Sequence, residues 1–592
     1  MLDLGYELRD VQKRALRFAA DQTEDAVPAF DAAGVDFTEV GFRALPQIRY
    51  KEQFGGRPLL AHFEAGNWMS KMAVRPEADY NAVLERTMDL KAAEDKSGKG
   101  RFIVVDDFVI NELIRFYAQF KGKIKVDDAV WARVKEMLLE SEFAPYHEPM
   151  SENHKICYLS SELIAAELFP DDVFFDGETG AQRLHRVKRS IRMFLEKRFR
   201  RGWSEFDSGS YYEIDLVSLL NIYDFSKDEE LRRMASDSIN SMLAAMFHHS
   251  VGGYPAGPKG RVYFNVAEDA KKGMYYYVKT AGDTEGDTVY NEPLATGVVY
   301  FALSSFQLDD VVYQLAFGPK ETGYEVLESN ALYTIPDDMN LHGRFKKYFY
   351  VGRDYALGSI VERDDPFEND AYTWLCGHQE QAWSMSFRKN SRATIFSSHP
   401  GNEALHDFGM HGYWTGDSLC LCAKFAQDKN AMLAYYDIRD REQLQFVHLY
   451  LPEREFDEVL YGERCIVARS GDVCAKLVFS GQYFACVTGQ YAGREVILPY
   501  PRCGFLLEVF EGITAAEAEK LPGKIDIGPD GICAAASDDR ELSILNGKTY
   551  LSGKEMEFGS YPLYHSPYVE SEYDSGRVVV RHGGKEKVYG IQ

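Results

Sequence analysis

Apolar residues in the first half of the chain recur at three- and four-residue steps. The segments Asp107 to Phe120 and Asp127 to Glu140 each carry one apolar face, which predicts amphipathic helices. Similar patterns predict helices near 154–168, 180–200, 209–225 and 228–248, joined by short stretches containing Pro, Gly or Asp. Short joints between helices give antiparallel helical hairpins. Beyond about residue 325 the period shortens. Arg464-Cys-Ile-Val-Ala-Arg, Ala475-Lys-Leu-Val-Phe, Gly504-Phe-Leu-Leu-Glu-Val-Phe and Arg577-Val-Val-Val-Arg are short runs, β-branched or aromatic, bounded by Gly, Asp or Pro. Helical runs followed by strand runs predict separate domains, a helical one over 1–325 and a β-sandwich over 326–592, rather than an alternating α/β sheet. No internal repeat or low-complexity tract interrupts this order.

A chain of 592 residues, 45% hydrophobic, is long enough for two or more large cores. Its 37 Tyr and 37 Phe suit clefts in which rings stack on sugar faces, although core packing also uses them. The net charge of −25 argues against a nucleic-acid binder and against a protein held on an anionic membrane, since both need a broad basic field. An anionic polymer would need a locally basic cleft. The densest basic run, His185 to Arg201, reads as a solvated helix face. Nine scattered cysteines without a paired Cys-x-x-Cys read as reduced thiols. The N-terminus has no charged and apolar leader pattern and no stretch is long and apolar enough to span a bilayer, so the expected location is cytoplasmic unless a leader has been removed.

Two segments carry the candidate chemistry. Asn153 and His154 adjoin in Ser-Glu-Asn-His ahead of an apolar helix, and Gly-Trp-Ser-Glu-Phe-Asp-Ser-Gly-Ser-Tyr-Tyr occupies 202–212. An amide that holds a carboxylate, an imidazole that carries a proton and a phenol that acts as base and acid are the groups needed for β-elimination. Asn153 also reads as a plain N-cap, and Ser208 as the cap before Tyr211 and Tyr212. Two such helix openings facing one cavity would make a site. Glu205 and Asp207, with Glu213 and Asp215 beyond, offer a different reading. Two carboxyl groups on opposite sides of a glycosidic bond make a hydrolase, with Glu205 as one of the pair. Glu205 would otherwise orient a neighbouring cation. Arg261 and Tyr263, in Pro-Lys-Gly-Arg-Val-Tyr, would add a cation and a phenol to the rim.

In the second half, Ile395-Phe-Ser-Ser-His-Pro-Gly-Asn and Phe408-Gly-Met-His-Gly-Tyr-Trp-Thr-Gly-Asp supply His399, His411 and Trp414, with His378 nearby in sequence. No compact metal-ligand motif, Walker loop or dinucleotide fingerprint is present, so neither a metal nor a cofactor is expected.

The combination resembles the polysaccharide lyases built from an incomplete α/α toroid followed by a β-sandwich, of the heparinase II/III and oligoalginate lyase type. In those families an adjacent Asn-His pair precedes a catalytic Tyr by a similar interval, and the β domain supplies another His. The segment Glu-Phe-Asp-Ser-Gly-Ser-Tyr is also similar to Glu-Tyr-Asn-Ser-Pro-Thr-Tyr in uncharacterised toroid proteins, which favours Tyr211 over Tyr212. The resemblance implies an acidic oligosaccharide or polysaccharide as substrate. It implies that Asn153, helped by His154 or Arg261, neutralises a uronate carboxylate and that Tyr211 removes the C5 proton, with His399 as the partner acid or base. A free Tyr titrates near about 10, so cations would have to favour its phenolate. Glu205, Tyr212, Arg261, Tyr263, His411 and Trp414 would line the substrate. The alternatives are a hydrolase on the same toroid and a non-catalytic carbohydrate-binding protein.

Overall fold

The computed structural model describes residues 1–22, 56–98, 106–143, 151–331, 344–364, 380–400, 413–414, 422–439 and 444–591. His378 and His411 lie outside them. The longer helices are α1 (Asp10–Asp21), α2 (Gly56–Val74), α3 (Asn81–Gly98), α4 (Asp107–Arg115), α5 (Asp128–Glu140), α6 (Glu152–Leu168), α7 (Gly180–Arg201), α8 (Tyr212–Phe225), α9 (Glu229–Phe247), α10 (Tyr275–Gly282), α11 (Thr296–Leu303) and α12 (Asp310–Phe317). α4 runs on through one wide turn, Phe116–Phe120.

Burial divides these helices into two kinds. α4, α8 and α11 are buried along almost their whole length, and α6 nearly so. α7 instead keeps one buried stripe, through Arg183, Val187, Ile191, Phe194, Leu195 and Arg198. A helix covered on every side belongs inside, whereas a striped one lies at the surface. The contacts follow suit: α2 packs on α4, α4 on α6, α6 on α8, α8 on α11, and α11 returns to α2. This is the inner ring of an α/α toroid, with helices such as α1, α3, α7 and α9 packed behind it. The basic run in α7 is not wholly solvated, because Arg183 and Arg198 turn inward to Glu162 and Glu152.

The rest of the chain forms antiparallel sheets. The strand Tyr324–Ala331 opens an eight-stranded sheet, and the C-terminal strands from Tyr564 to Gly590 pair back beside it. Val326, Phe349, Val578 and Val580 from this sheet join the core of the helical ring. The strand Ala431–Asp437 shows why the next layers stack. Met432, Ala434 and Tyr436 face one core, against Leu357 and Trp383 of the first sheet, while Leu433 and Tyr435 face another, against Ile532 and Ile544 of a five-stranded sheet. A period of two with both faces apolar describes a strand buried between two sheets. The reading of all nine cysteines as reduced thiols needs correction: Cys422 is disulfide-bonded. Six others are free. Among the described residues no helix is long and apolar enough to cross a membrane.

Candidate active site

The first turns of the inner helices meet one another. Asp107 begins α4, His154 lies in the first turn of α6, and the two side chains meet at 2.8 Å. The first turn of α8 meets that of α11 where Glu213 accepts the Gly297 N–H. Four helix N-termini thus converge on one mouth, and each carries partial positive charge from unpaired backbone N–H groups. The same first turns also carry the carboxylates of Asp107, Glu152 and Glu213.

The segment between α7 and α8 lines that mouth. Gly202 ends α7 with φ of +71°, and a Cβ there would stand 2.5 Å from Asn330 Nδ2. Only glycine fits both the backbone and the space. Asn330 in turn donates to the Trp203 carbonyl, so the first sheet strand holds the turn. From the ring side, Glu152 accepts the backbone N–H groups of Ser204 (3.1 Å) and Glu205 (2.6 Å) and is paired with Arg198 at 3.1 Å. The Ser208 hydroxyl accepts the Tyr211 N–H at 2.9 Å and donates to the Arg261 carbonyl at 2.7 Å; the residue before α8 is Tyr211, so Ser208 holds the turn ahead of the helix rather than capping it.

This architecture joins five of the residues singled out in the sequence. Asn153 Nδ2 donates to both oxygens of Glu205 at 2.8 Å, and Arg261 Nη1 donates to Glu205 Oε1. The Arg261 guanidinium lies 3.8 Å from the centre of the Tyr211 ring, in cation–π contact. The Tyr211 hydroxyl meets that of Tyr263 at 2.6 Å. Arg261 adopts φ of +55°, uncommon for a residue with a side chain, and such strain clusters at functional sites. His154 adjoins Asn153, stacks on Phe108 at 5.2 Å, and gives Nδ1–H to Asp107. Burial raises the Asp107 carboxyl and His154 draws it back down.

Several expectations change. Ser151, not Asn153, is the residue before α6, and the Asn153 amide hydrogens are spent on Glu205, so Asn153 does not reach a substrate carboxylate. Glu205 is fully buried and internal. Tyr212 is in the helical core with its ring near Trp203. Trp414 is 1% exposed, stacked 3.9 Å from His448 and 5.6 Å from Phe264. Neither aromatic has a face for sugar. Alternating sequence reading could not see these, because a Tyr beside the functional one and a Trp in a Gly-rich loop look identical whether they face a cleft or a core. His399 follows the strand Phe396–Ser398, is buried, and donates from Nε2 to the Leu444 carbonyl at 2.9 Å. Its segment approaches the Arg261 loop through a shared aromatic cluster containing Val262, Phe264, Phe396 and Trp414.

Asp107 and Lys259 are two residues that sequence reasoning missed. The only sequence signal for Asp107 was its place at a helix start. Lys259 is buried two residues before Arg261, and its ammonium donates to Gln381 Oε1 (3.1 Å) and Gly257 O (3.3 Å). Burial pushes it down to about 8. Between about pH 8 and the ordinary lysine value of 10.5, the unfolded chain holds a proton that the folded chain has released, so stability contributed at Lys259 rises with pH. Below pH 8 both states are charged and the full desolvation cost persists. Relative to Lys259→Met, the wild type should therefore gain on the order of 3 kcal/mol across this window. Denaturation midpoints of both proteins at pH 7 and pH 10 check this; a constant difference contradicts it.

No protein-family model matches the chain, and no curated protein matches it. Among solved structures the chain is similar to a crystal structure of heparinase III, at 8% identity and a TM-score of 0.41, covering 92% of this chain and 91% of that one.

Proposed function

We propose that the protein is a carbohydrate-active lyase that cleaves a uronate-bearing oligosaccharide or polysaccharide by β-elimination. The observation that carries this reading is the Tyr211 phenol, bonded to Tyr263 at 2.6 Å with the Arg261 guanidinium over its ring. Arg261 supplies the positive charge that a phenolate needs beside it, and Tyr263 a hydrogen bond to its oxygen. Tyr211 takes the C5 proton, the electron pair forms the C4–C5 double bond, the C4–O bond breaks, and the proton passes from Tyr211 to the departing oxygen. The helix N-termini and Arg261 favour the substrate carboxylate and the negative charge that develops on it. His154, fixed by Asp107, is a second proton carrier at the same rim.

The hydrolase reading asks for two carboxyl groups that reach the glycosidic oxygen and a water. Glu205 and Asp215 are both fully buried, and their oxygens stand within 4.8 Å of one another and of Glu152. Glu205 is spent on Asn153 and Arg261. Asp207 is held below its ordinary value, against its burial, by Lys347 and His249, which suits no general acid. Asp215 is raised by burial and by the charges of Glu152 and Glu205, and neither of its oxygens has a hydrogen-bond partner. It is sealed in the core, out of reach of a substrate.

Elimination depends on the carboxylate that acidifies C5–H, whereas hydrolysis does not. A polyuronate that the protein cleaves should become inert once its carboxyl groups are reduced to alcohols. Equal cleavage of the reduced polymer, measured as released chain ends, contradicts the proposal.

A further inference from the structure

Elimination needs two proton transfers, one away from C5 and one to the departing oxygen, and the site holds two phenols bonded to each other. Their surroundings differ. Tyr211 precedes α8, is 9% exposed and carries the Arg261 guanidinium against its ring at 3.8 Å. Tyr263 precedes the short helix Phe264–Ala267, on the same loop as Arg261, and is partly exposed. That loop is fastened along its length. The Gly260 N–H donates to the Phe206 carbonyl at 2.8 Å, the Arg261 carbonyl accepts from Ser208 at 2.7 Å, and the Tyr263 carbonyl accepts the Ala267 N–H at 2.9 Å. Val262 and Phe264, on either side of Tyr263, are buried in the aromatic cluster with Phe396 and Trp414. Tyr263 is thereby held facing Tyr211, with ring centres 6.0 Å apart and planes inclined by 38°.

The two phenol oxygens stand 2.6 Å apart, within the range of about 2.5–2.7 Å for a hydroxyl that donates to an oxygen anion. A hydroxyl in that position is itself a proton carrier. Once Tyr211 has taken a proton, its oxygen no longer draws on Tyr263 as a donor and donates to it instead. His399, the partner expected from the sequence, has its Nε2 engaged by the Leu444 carbonyl at 2.9 Å.

We infer that Tyr263 is a catalytic residue, the general acid of the elimination, and that the two phenols act as a relay. The inference rests on the lyase reading and adds the identity of the acid. Tyr211 begins as the phenolate and Tyr263 as the phenol. The C5 proton goes to the Tyr211 oxygen, the C5–H electron pair becomes the second bond between C4 and C5, and the C4–O bond breaks with its pair on the oxygen. The Tyr263 hydroxyl proton goes to that oxygen, and the proton gained by Tyr211 moves to Tyr263. Both residues return to their starting state. The departing oxygen therefore receives a proton that Tyr263 has exchanged with solvent, not the one just taken from C5.

The test uses the full chain with two probes: the polyuronate or glycosaminoglycan oligomer that the wild type cleaves, and the matching uronate carrying fluoride at C4. Fluoride departs without a proton. Tyr263→Phe should lower kcat on the oligomer by about 10²-fold, the lower end of the range for a general acid, and release fluoride at nearly the wild-type rate. Tyr211→Phe should lose both activities. In the wild type, heavy water should slow cleavage of the oligomer but not release of fluoride. Equal loss on both probes in Tyr263→Phe would mean that Tyr263 only supports the phenolate, and overturns the inference. Undiminished cleavage of the oligomer by that variant overturns it too, with the lyase reading intact. Absence of any unsaturated product from the wild type overturns the lyase reading and the relay with it. If circular dichroism shows that Tyr263→Phe does not fold, the wild type in heavy water decides: an oligomer rate that does not fall contradicts the relay.

Discussion

Tyr211→Phe should lower kcat by about 10³-fold, the middle of the range for loss of a positioned proton-transfer group. The substitution removes one oxygen and leaves the ring, so the cation–π contact with Arg261 persists. The structural loss is one hydrogen bond to Tyr263, worth about 1 kcal/mol of stability. A loss confined to kcat, with KM and the denaturation midpoint nearly unchanged, separates a catalytic hydroxyl from a structural one. Steady-state kinetics on any cleaved polyuronate gives the answer, and a variant that keeps more than a tenth of the wild-type kcat contradicts the role assigned to Tyr211.

The second large effect concerns the support beneath the site. Glu152→Ala should destabilise the fold by about 3–5 kcal/mol, as breaking a buried ion pair does when one charge is left behind. Arg198 would lose its carboxylate at 3.1 Å, and the Ser204 and Glu205 N–H groups would lose their acceptor. All of these groups are buried. Glu152→Gln keeps an oxygen for the backbone and should recover part of the loss. Chemical denaturation of the three proteins measures both effects; an alanine variant as stable as the wild type would mean that the 203–205 turn is held by other contacts.

The sequence predicts the helices between 107 and 248 to within a few residues because amphipathic or wholly apolar periodicity is a local property. The switch to short β-branched strands is local as well; a two-residue pairing of Ser250–Val251 with Tyr254–Pro255 precedes the long strand Tyr324–Ala331. What it misses is long-range. The pairing of the C-terminal strands with Tyr324–Ala331 joins residues more than two hundred positions apart, and no local pattern announces it. At the site, the same limit applies. Sequence spacing marks Asn153, Glu205, Tyr211, Arg261 and Tyr263 as candidates, and all five fall in one connected group. It does not show that Asn153 points inward to Glu205, because the direction of an amide depends on the partner across the ring. Tyr211 lies just ahead of α8 with its hydroxyl on Tyr263, whereas Tyr212 opens the helix and packs in the core beside Trp203.

The measurement closest to the central claim is the ultraviolet absorbance of a conjugated, unsaturated uronate, followed while the purified protein acts on a panel of polyuronates and glycosaminoglycans beside Tyr211→Phe. The lyase account predicts a rise with at least one polymer that the variant nearly abolishes. Release of reducing ends without any rise in absorbance would contradict it and return the chemistry to hydrolysis.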